Sequence, residues 1–251
     1  MLRQASLLIL LLTVPAALDA QAPMASVCTA PPESFALKHR DLPVWQLSGA
    51  VLFTAGMTID ADGAPNAYGP KNKGLDLTAN ARGAQGWAAL VTSQKGAPVR
   101  QKKGPYRGFY ISTTSLEQPD VPDIANPKRY IDARTISYIV LPRNFADRFG
   151  ISLGDLAIVF NETTGRSAYA IFADIGPRGR IGEGSIALAK ELGMPADPRS
   201  SQALGHITYM IFPGSAARGG KRITPARIRS TAAKLHRQWI NESTFCLINP
   251  S

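Results

Sequence analysis

The chain is 251 residues long, 45% hydrophobic and 18% charged, with 28 Lys and Arg against 18 Asp and Glu, a formal net charge of +10. Beyond its N-terminus no segment approaches the roughly 20 consecutive apolar residues of a membrane helix, which excludes an integral membrane segment once a leader is removed. The basic excess points to an anionic environment such as cell wall, lipopolysaccharide, nucleic acid or an acidic membrane face, without naming a substrate.

Residues 1–22 carry Arg3, an apolar run from Leu7 to Val14 and the small-residue end Ala20-Gln21-Ala22. They read as a secretory signal, so the protein is expected outside the cytoplasm, extracellular or periplasmic. Arg3 and Asp19 cancel, which leaves the basic excess to the mature chain. Residues 23–49, with Pro31-Pro32, Pro43 and the mixed charges of Lys38 to Asp41, read as an extended N-terminal arm. Residues 50–251 then form one domain by length. Cys28 and Cys246 stand near the two ends of the mature chain and can pair in an oxidising compartment. Closing so long a loop stabilises by about 5 kcal/mol in the chain-entropy picture.

From Ala50 the pattern becomes β-like. Val51-Leu-Phe-Thr54 leads through Met57-Thr-Ile-Asp60-Ala-Asp62-Gly63-Ala-Pro65 into a polar turn. Lys95, Arg100, Lys102, Lys103 and Arg107 stand among Gly and Pro and predict a mobile basic loop over 94–107. Residues 109–112 are a short strand candidate, after which Pro119, Pro122 and Pro127 exclude regular structure. Residues 138–141 read as a buried strand, and 143–149 as one or two helical turns stopped by Gly150. The apolar runs 156–160 and 168–172 flank a polar turn and predict a hairpin. Ser185 stands as an N-cap before Ile186, Leu188, Ala189 and Leu192, whose helical spacing ends at Gly193. Residues 207–212 are a further strand, and Thr224-Pro225 opens a helix with Ile228, Leu235, Trp239 and Ile240 on one side. The sum is a mainly β domain, a partly closed barrel with a few short helices.

Between hairpin and helix, Asp174-Ile-Gly-Pro177 and Ile181-Gly-Glu183-Gly-Ser185 set two carboxylates nine positions apart in a Gly-rich loop. Glycosidic hydrolysis needs one carboxyl protonated to donate to the leaving oxygen and one ionised to activate water or attack the sugar. Arg178 and Arg180 stand close enough in sequence to lower one carboxyl's pKa relative to the other. A solvated, helix-capping loop is the competing reading of the same residues.

Asp60-Ala-Asp62-Gly63 resembles the start of a calcium loop, but Lys71 stands where the twelfth-position Glu is required, so no metal is expected. That leaves a turn presenting Asp60 and Asp62 to a substrate amine or hydroxyl, or a plain Asx turn. His39, His206 and His236 have no metal-ligand spacing. Ser185 lacks a nucleophile elbow and reads as a cap. Neither a Walker loop nor a dinucleotide fingerprint is present, so no cofactor is expected. Only residues 95–110 interleave basic and aromatic side chains, and nucleic acid is not an expected partner. The charges Arg227, Arg229, Lys234 and Arg237 of the last helix are expected to be solvated, with its apolar stripe on the barrel.

Several ordered motifs together resemble the chitosanases of glycoside hydrolase family 75, over roughly residues 51–213. They are Thr58-Ile-Asp60-Ala-Asp62-Gly-Ala-Pro-Asn-Ala-Tyr68, Tyr130-Ile-Asp132-Ala, Tyr138-Ile-Val-Leu-Pro142, Gly154-Asp155, and Tyr169-Ala-Ile-Phe-Ala-Asp174-Ile-Gly-Pro177 running to Gly182-Glu183-Gly-Ser185. The resemblance implies an endo-acting hydrolase of β-1,4-linked glucosamine polymers working by single displacement with inversion, and a monomer acting on a polysaccharide is expected. Asp174 and Glu183 match the family's catalytic pair, with Glu183 taken as acid and Asp174 as base. Asp60, Asp62, Tyr68 and Asp132 become candidate substrate contacts. The Asp-x-Gly-Pro strand exit is also similar to the double-psi β-barrel of expansin-like proteins and some lytic transglycosylases, which implies six strands and supplies peptidoglycan as a rival substrate. A non-catalytic, wall-binding barrel is the third reading of the basic surface.

Overall fold

The computed structural model describes residues 32–37, 40–47, 49–84, 86–200, 202–216 and 220–248, the last seven as backbone. The leader, Cys28, His39 and the side chain of Cys246 lie outside the described residues. In chain order the strands and helices are β1 (Glu33–Ala36), β2 (Asp41–Leu47), β3 (Ala50–Asp60), β4 (Arg82–Gly83), β5 (Gly86–Trp87), β6 (Tyr138–Pro142), α1 (Arg143–Arg148), β7 (Leu156–Asn161), β8 (Arg166–Gly176), β9 (Glu183–Ser185), α2 (Ile186–Glu191), β10 (Leu204–Phe212) and α3 (Pro225–Ile248).

Period-two alternation along β3 sends Val51, Phe53, Ala55, Met57 and Ile59 into one core. The intervening residues face outward. Leu52 joins a second cluster, Thr54 hydrogen-bonds Thr208 at 3.0 Å, and Thr58 and Asp60 follow on the same face. Six strands close into a barrel in the order β3-β10-β7-β8-β6-β9, with β9 returning to β3. Closure leaves these six without a free edge, and it goes further than the partly closed barrel the sequence predicts.

The closing strand is the part the sequence does not display. β9 runs parallel to β3 from Thr58↔Glu183 to Asp60↔Ser185 and antiparallel to β6 at Val140↔Glu183. Two glycines permit so close an approach. A Cβ on Gly182 would stand 1.9 Å from the Gly56 carbonyl oxygen, and one on Gly184 would stand 2.8 Å from Leu188 Cδ2 and Met57 Sδ.

The segment expected as an extended arm is extended as a hairpin. β2 pairs with the first residues of β3, and Phe35 on β1 meets Phe145 and Phe149 of α1 at ring-centroid distances of 4.9 and 6.1 Å. Phe53 joins the same group through Phe145 and Tyr209. Such aromatic pairs are worth about 0.5–1.5 kcal/mol each beyond their buried area. On the outer wall, Trp239 and Leu235 of α3 pack on Leu47, Leu52, Ile158, Met210 and Phe212, which is where the helix's apolar stripe goes. Among the described residues no helix is long and apolar enough to cross a membrane.

Among its described residues the long connection 61–137 is irregular, with β4 and β5, two short 3₁₀ turns and isolated bridges. The basic stretch within it is anchored rather than free. Bridges Thr92↔Pro98 and Arg100↔Tyr110 hold its base, and Gln101 Nε2 donates to the Pro65 carbonyl at 2.5 Å. This corrects the expectation of a mobile loop at its base, because the backbone groups find partners that local sequence cannot reveal.

Candidate active site

The outer face of β3, β9, β6 and β8, beneath the long connection, collects the carboxylates. Val140 of β6 is the register partner of Asp174 on one side and of Glu183 on the other. The two acids therefore flank a single strand at one level of the wall. β8 carries a bulge before this point, since Ile139 faces Phe172 and Val140 faces Asp174, leaving Ala173 unpaired in the register. A bulge re-aims the side chain that follows it.

Asp174 is buried, and its Oδ1 accepts three hydrogen bonds, from Ser115 N at 2.9 Å, Ser115 Oγ at 2.6 Å and Ile175 N at 2.8 Å. Burial raises its pKa, against the pull of these donors. Glu183 is partly buried and reaches toward β8, where its Oε2 stands 3.5 Å from the position a Cβ on Gly176 would take. Its pKa is pushed up to about 7, first by burial and then by the negative charge of Asp174. Arg180 pulls in the other direction and is outweighed.

Asp60 ends β3, and its Oδ1 accepts the Asp62 backbone N–H at 2.8 Å, so the Asx turn forms. Its Oδ2 accepts the Tyr138 hydroxyl at 3.0 Å, which also donates to the Asp62 carbonyl. Asp62 Oδ1 accepts the Tyr68 hydroxyl at 2.7 Å and Ser112 Oγ at 3.4 Å. Gly63, at φ +74°, lets the turn pass under the connection, since a Cβ there would stand 2.1 Å from the Ile131 carbonyl oxygen. Oxygens of Asp60, Asp62 and Asp174 lie within 4.8 Å of one another. Burial raises the pKa of Asp60 and Asp62 well above the ordinary range, and the neighbouring carboxylates add to it. A cation brought among them would favour their ionised forms.

The other two expected contacts sit differently. Tyr68 is 2% exposed, with its hydroxyl on Asp62 and, at 3.5 Å, on Asp76, so it supports Asp62 from behind. Asp132 is held by Arg134 through Nε at 3.0 Å and Nη2 at 2.8 Å, and Arg134 in turn donates to Tyr106 Oη at 2.6 Å. Its charge is thereby paired with Arg134, and it is not among the three carboxylates whose oxygens lie together. Ser185 accepts the Leu188 N–H at 3.1 Å as the cap of α2 and donates to the Ile136 carbonyl at 2.8 Å, which fixes the residue after the Glu183 loop. Ser115 and Tyr138 complete the site without having been expected in it. The Tyr138 motif is visible in sequence, but nothing local marks Ser115. A cavity of about 190 Å³ between Leu116, Leu153, Ile171 and Ile228 contains none of these carboxylates.

A family model described as fungal chitosanase of glycosyl hydrolase group 75 matches residues 57–244, from the end of β3 through most of α3, and so includes every carboxylate of the site. No curated protein matches the chain. With the match extending over well more than half of its length, the chain belongs to the group 75 glycosyl hydrolases, the fungal chitosanase family, and is a chitosanase-like glycoside hydrolase that acts on a polysaccharide.

Proposed function

We propose that this hydrolase is exported, works as a monomer and cuts β-1,4-linked glucosamine chains internally, by single displacement with inversion at the anomeric carbon. Glu183 is the general acid and Asp174 the general base. The observation that carries this reading is the shared register partner, Val140. Two strand spacings of about 4.8 Å put the Cα atoms of the two acids roughly 9.6 Å apart. The family resemblance supplies the inverting step, in which the carboxyl groups themselves stand about 6.5–9.5 Å apart with a water beside the sugar.

The electrostatics support the same division of labour. Glu183, with a pKa of about 7, keeps its proton in mildly acidic solution and can pass it to the glycosidic oxygen as the C1–O bond breaks. Asp174 has three donors that favour its ionised form and offset part of the effect of burial, and once ionised it can take a proton from the water that attacks C1 from the opposite face. An approaching glucosamine ammonium would favour the ionised forms of Asp60 and Asp62, whose pKa values burial raises, so the groove becomes acidic on binding in a molecule of net charge +10.

The same basic balance favours an anionic wall glycan as the second reading. Product analysis on chitosan and on purified sacculi, side by side, separates the two. Shortened glucosamine oligomers carrying the inverted anomer are the expected outcome. An altered muropeptide profile with intact chitosan would replace the substrate, and salt-sensitive retention on sacculi with no products from either would leave a binding barrel.

A further inference from the structure

Ser115 lies in the proline-spaced connection, 59 residues from Asp174 in sequence, and is exposed, yet both its polar donors converge on one oxygen of a buried carboxylate. We infer that Ser115 is a positioning residue for the hydrolytic step, clamping Asp174 Oδ1 so that Oδ2 faces the attacking water. The inference rests on the assignment of Asp174 as base.

The direction of the hydroxyl proton follows from its partners. Ile175 N–H donates to Ser115 Oγ at 3.2 Å, so the oxygen is already an acceptor there and its own proton is directed to Asp174. Among the described residues every hydrogen bond to the Asp174 carboxylate goes to Oδ1. One oxygen is thus fixed and the other is left for chemistry.

The segment that bears Ser115 is braced on both sides. Leu116 N donates to the carbonyl of Ala173, the bulge residue that aims Asp174, at 2.8 Å. Thr114 Oγ1 donates to the Leu116 carbonyl at 2.6 Å and accepts Ile131 N at 2.9 Å. Farther along, Glu117 pairs with Arg129, and Gln118 bonds the backbone of Ile223 through both side-chain atoms at 2.8 and 2.9 Å. Bulge and clamp therefore form one unit, in which a carboxylate is turned outward by its own strand and locked by a loop anchored elsewhere. A general base must be held in its productive geometry, because small misplacements cost large factors in rate.

The test is steady-state kinetics on soluble chitosan across pH for Ser115→Ala, Ser115→Thr and Asp174→Asn. Ser115→Ala is expected to lower kcat roughly ten- to a hundredfold, the loss of one charge-assisted hydrogen bond. KM should hardly change, and the acid limb of kcat/KM should move to higher pH because a donor favouring the ionised base is gone. Ser115→Thr, which keeps the hydroxyl, should restore most of the rate. An inactive Asp174→Asn beside a Ser115→Ala enzyme with wild-type kcat and pH profile overturns the clamp alone. An active Asp174→Asn overturns the assignment on which it rests.

Discussion

Glu183 occupies space that Gly176 leaves open. Its Oε2 stands 3.5 Å from where a side chain on Gly176 would begin, and that same Cβ would lie 3.0 Å from Val140 Cγ1. Asp174 and Gly176 share a face of β8, so the missing side chain lets Glu183 reach across β6 toward the strand that carries its partner.

Filling that space should therefore act on the acid. Gly176→Ala is expected to cost several-fold in kcat and Gly176→Val about a hundredfold, the effect of displacing a reacting group by about 1 Å. Unchanged circular dichroism would separate this from unfolding, and a wild-type rate in Gly176→Val would show that Glu183 does not depend on the gap.

The pH dependence follows from the pair. Glu183 must be protonated to act, so kcat/KM is expected to fall as pH rises through about 7, while the acid limb follows the ionisation of Asp174. Because the charge of Asp174 helps to raise the pKa of Glu183, Asp174→Asn should lower it. Carboxyl-carbon NMR titration of Glu183 in both proteins reads this directly, and an unmoved resonance would deny the coupling.

Stability should depend on the same carboxyl. A group whose folded-state pKa is raised binds its proton more tightly when folded. Its contribution is fully present below the unfolded value of about 4.3 and is lost as pH rises through about 7. Glu183→Gln removes that loss and is expected to stabilise the protein at pH ~8 by on the order of 1 kcal/mol, as active-site acids often limit stability. The corresponding rise in Tm is roughly 2–4 °C. At pH ~4 the two proteins should melt together, and a difference that persists there would point to packing instead.

With export we also propose a Cys28–Cys246 bridge. Protein made in an oxidising compartment should contain no free thiol, and Cys28→Ser should lower stability by about 2–5 kcal/mol. Intact mass with and without reduction, followed by thiol titration, checks it, and two free thiols in folded, exported protein would reject the bridge.

The strands β6, β7, β8 and β10 are legible because their apolar runs are bounded by turn residues, and α2 because Ser185 and Gly193 punctuate it. β9 is not legible. Three residues with a central glycine carry no alternation, and their partners lie on β3 and β6, far away in sequence. The same limit applies to the site. Asp174, Glu183, Asp60 and Asp62 are visible as acids in turns and motifs, whereas the bulge at Ala173 and the reach of Ser115 depend on long-range register and leave no local signal. Tyr68 and Asp132 stand in the right motifs, but burial in one case and Arg134 in the other decide what each can touch.

Whether Asp174 and Glu183 are the reacting pair is read from the release of reducing ends from chitosan by Asp174→Asn and Glu183→Gln. Both variants should fold with wild-type circular dichroism and lose activity by at least about a hundredfold, the lower range for removing a general acid or base. Near-wild-type release of reducing ends by either variant would remove that residue from the reacting pair.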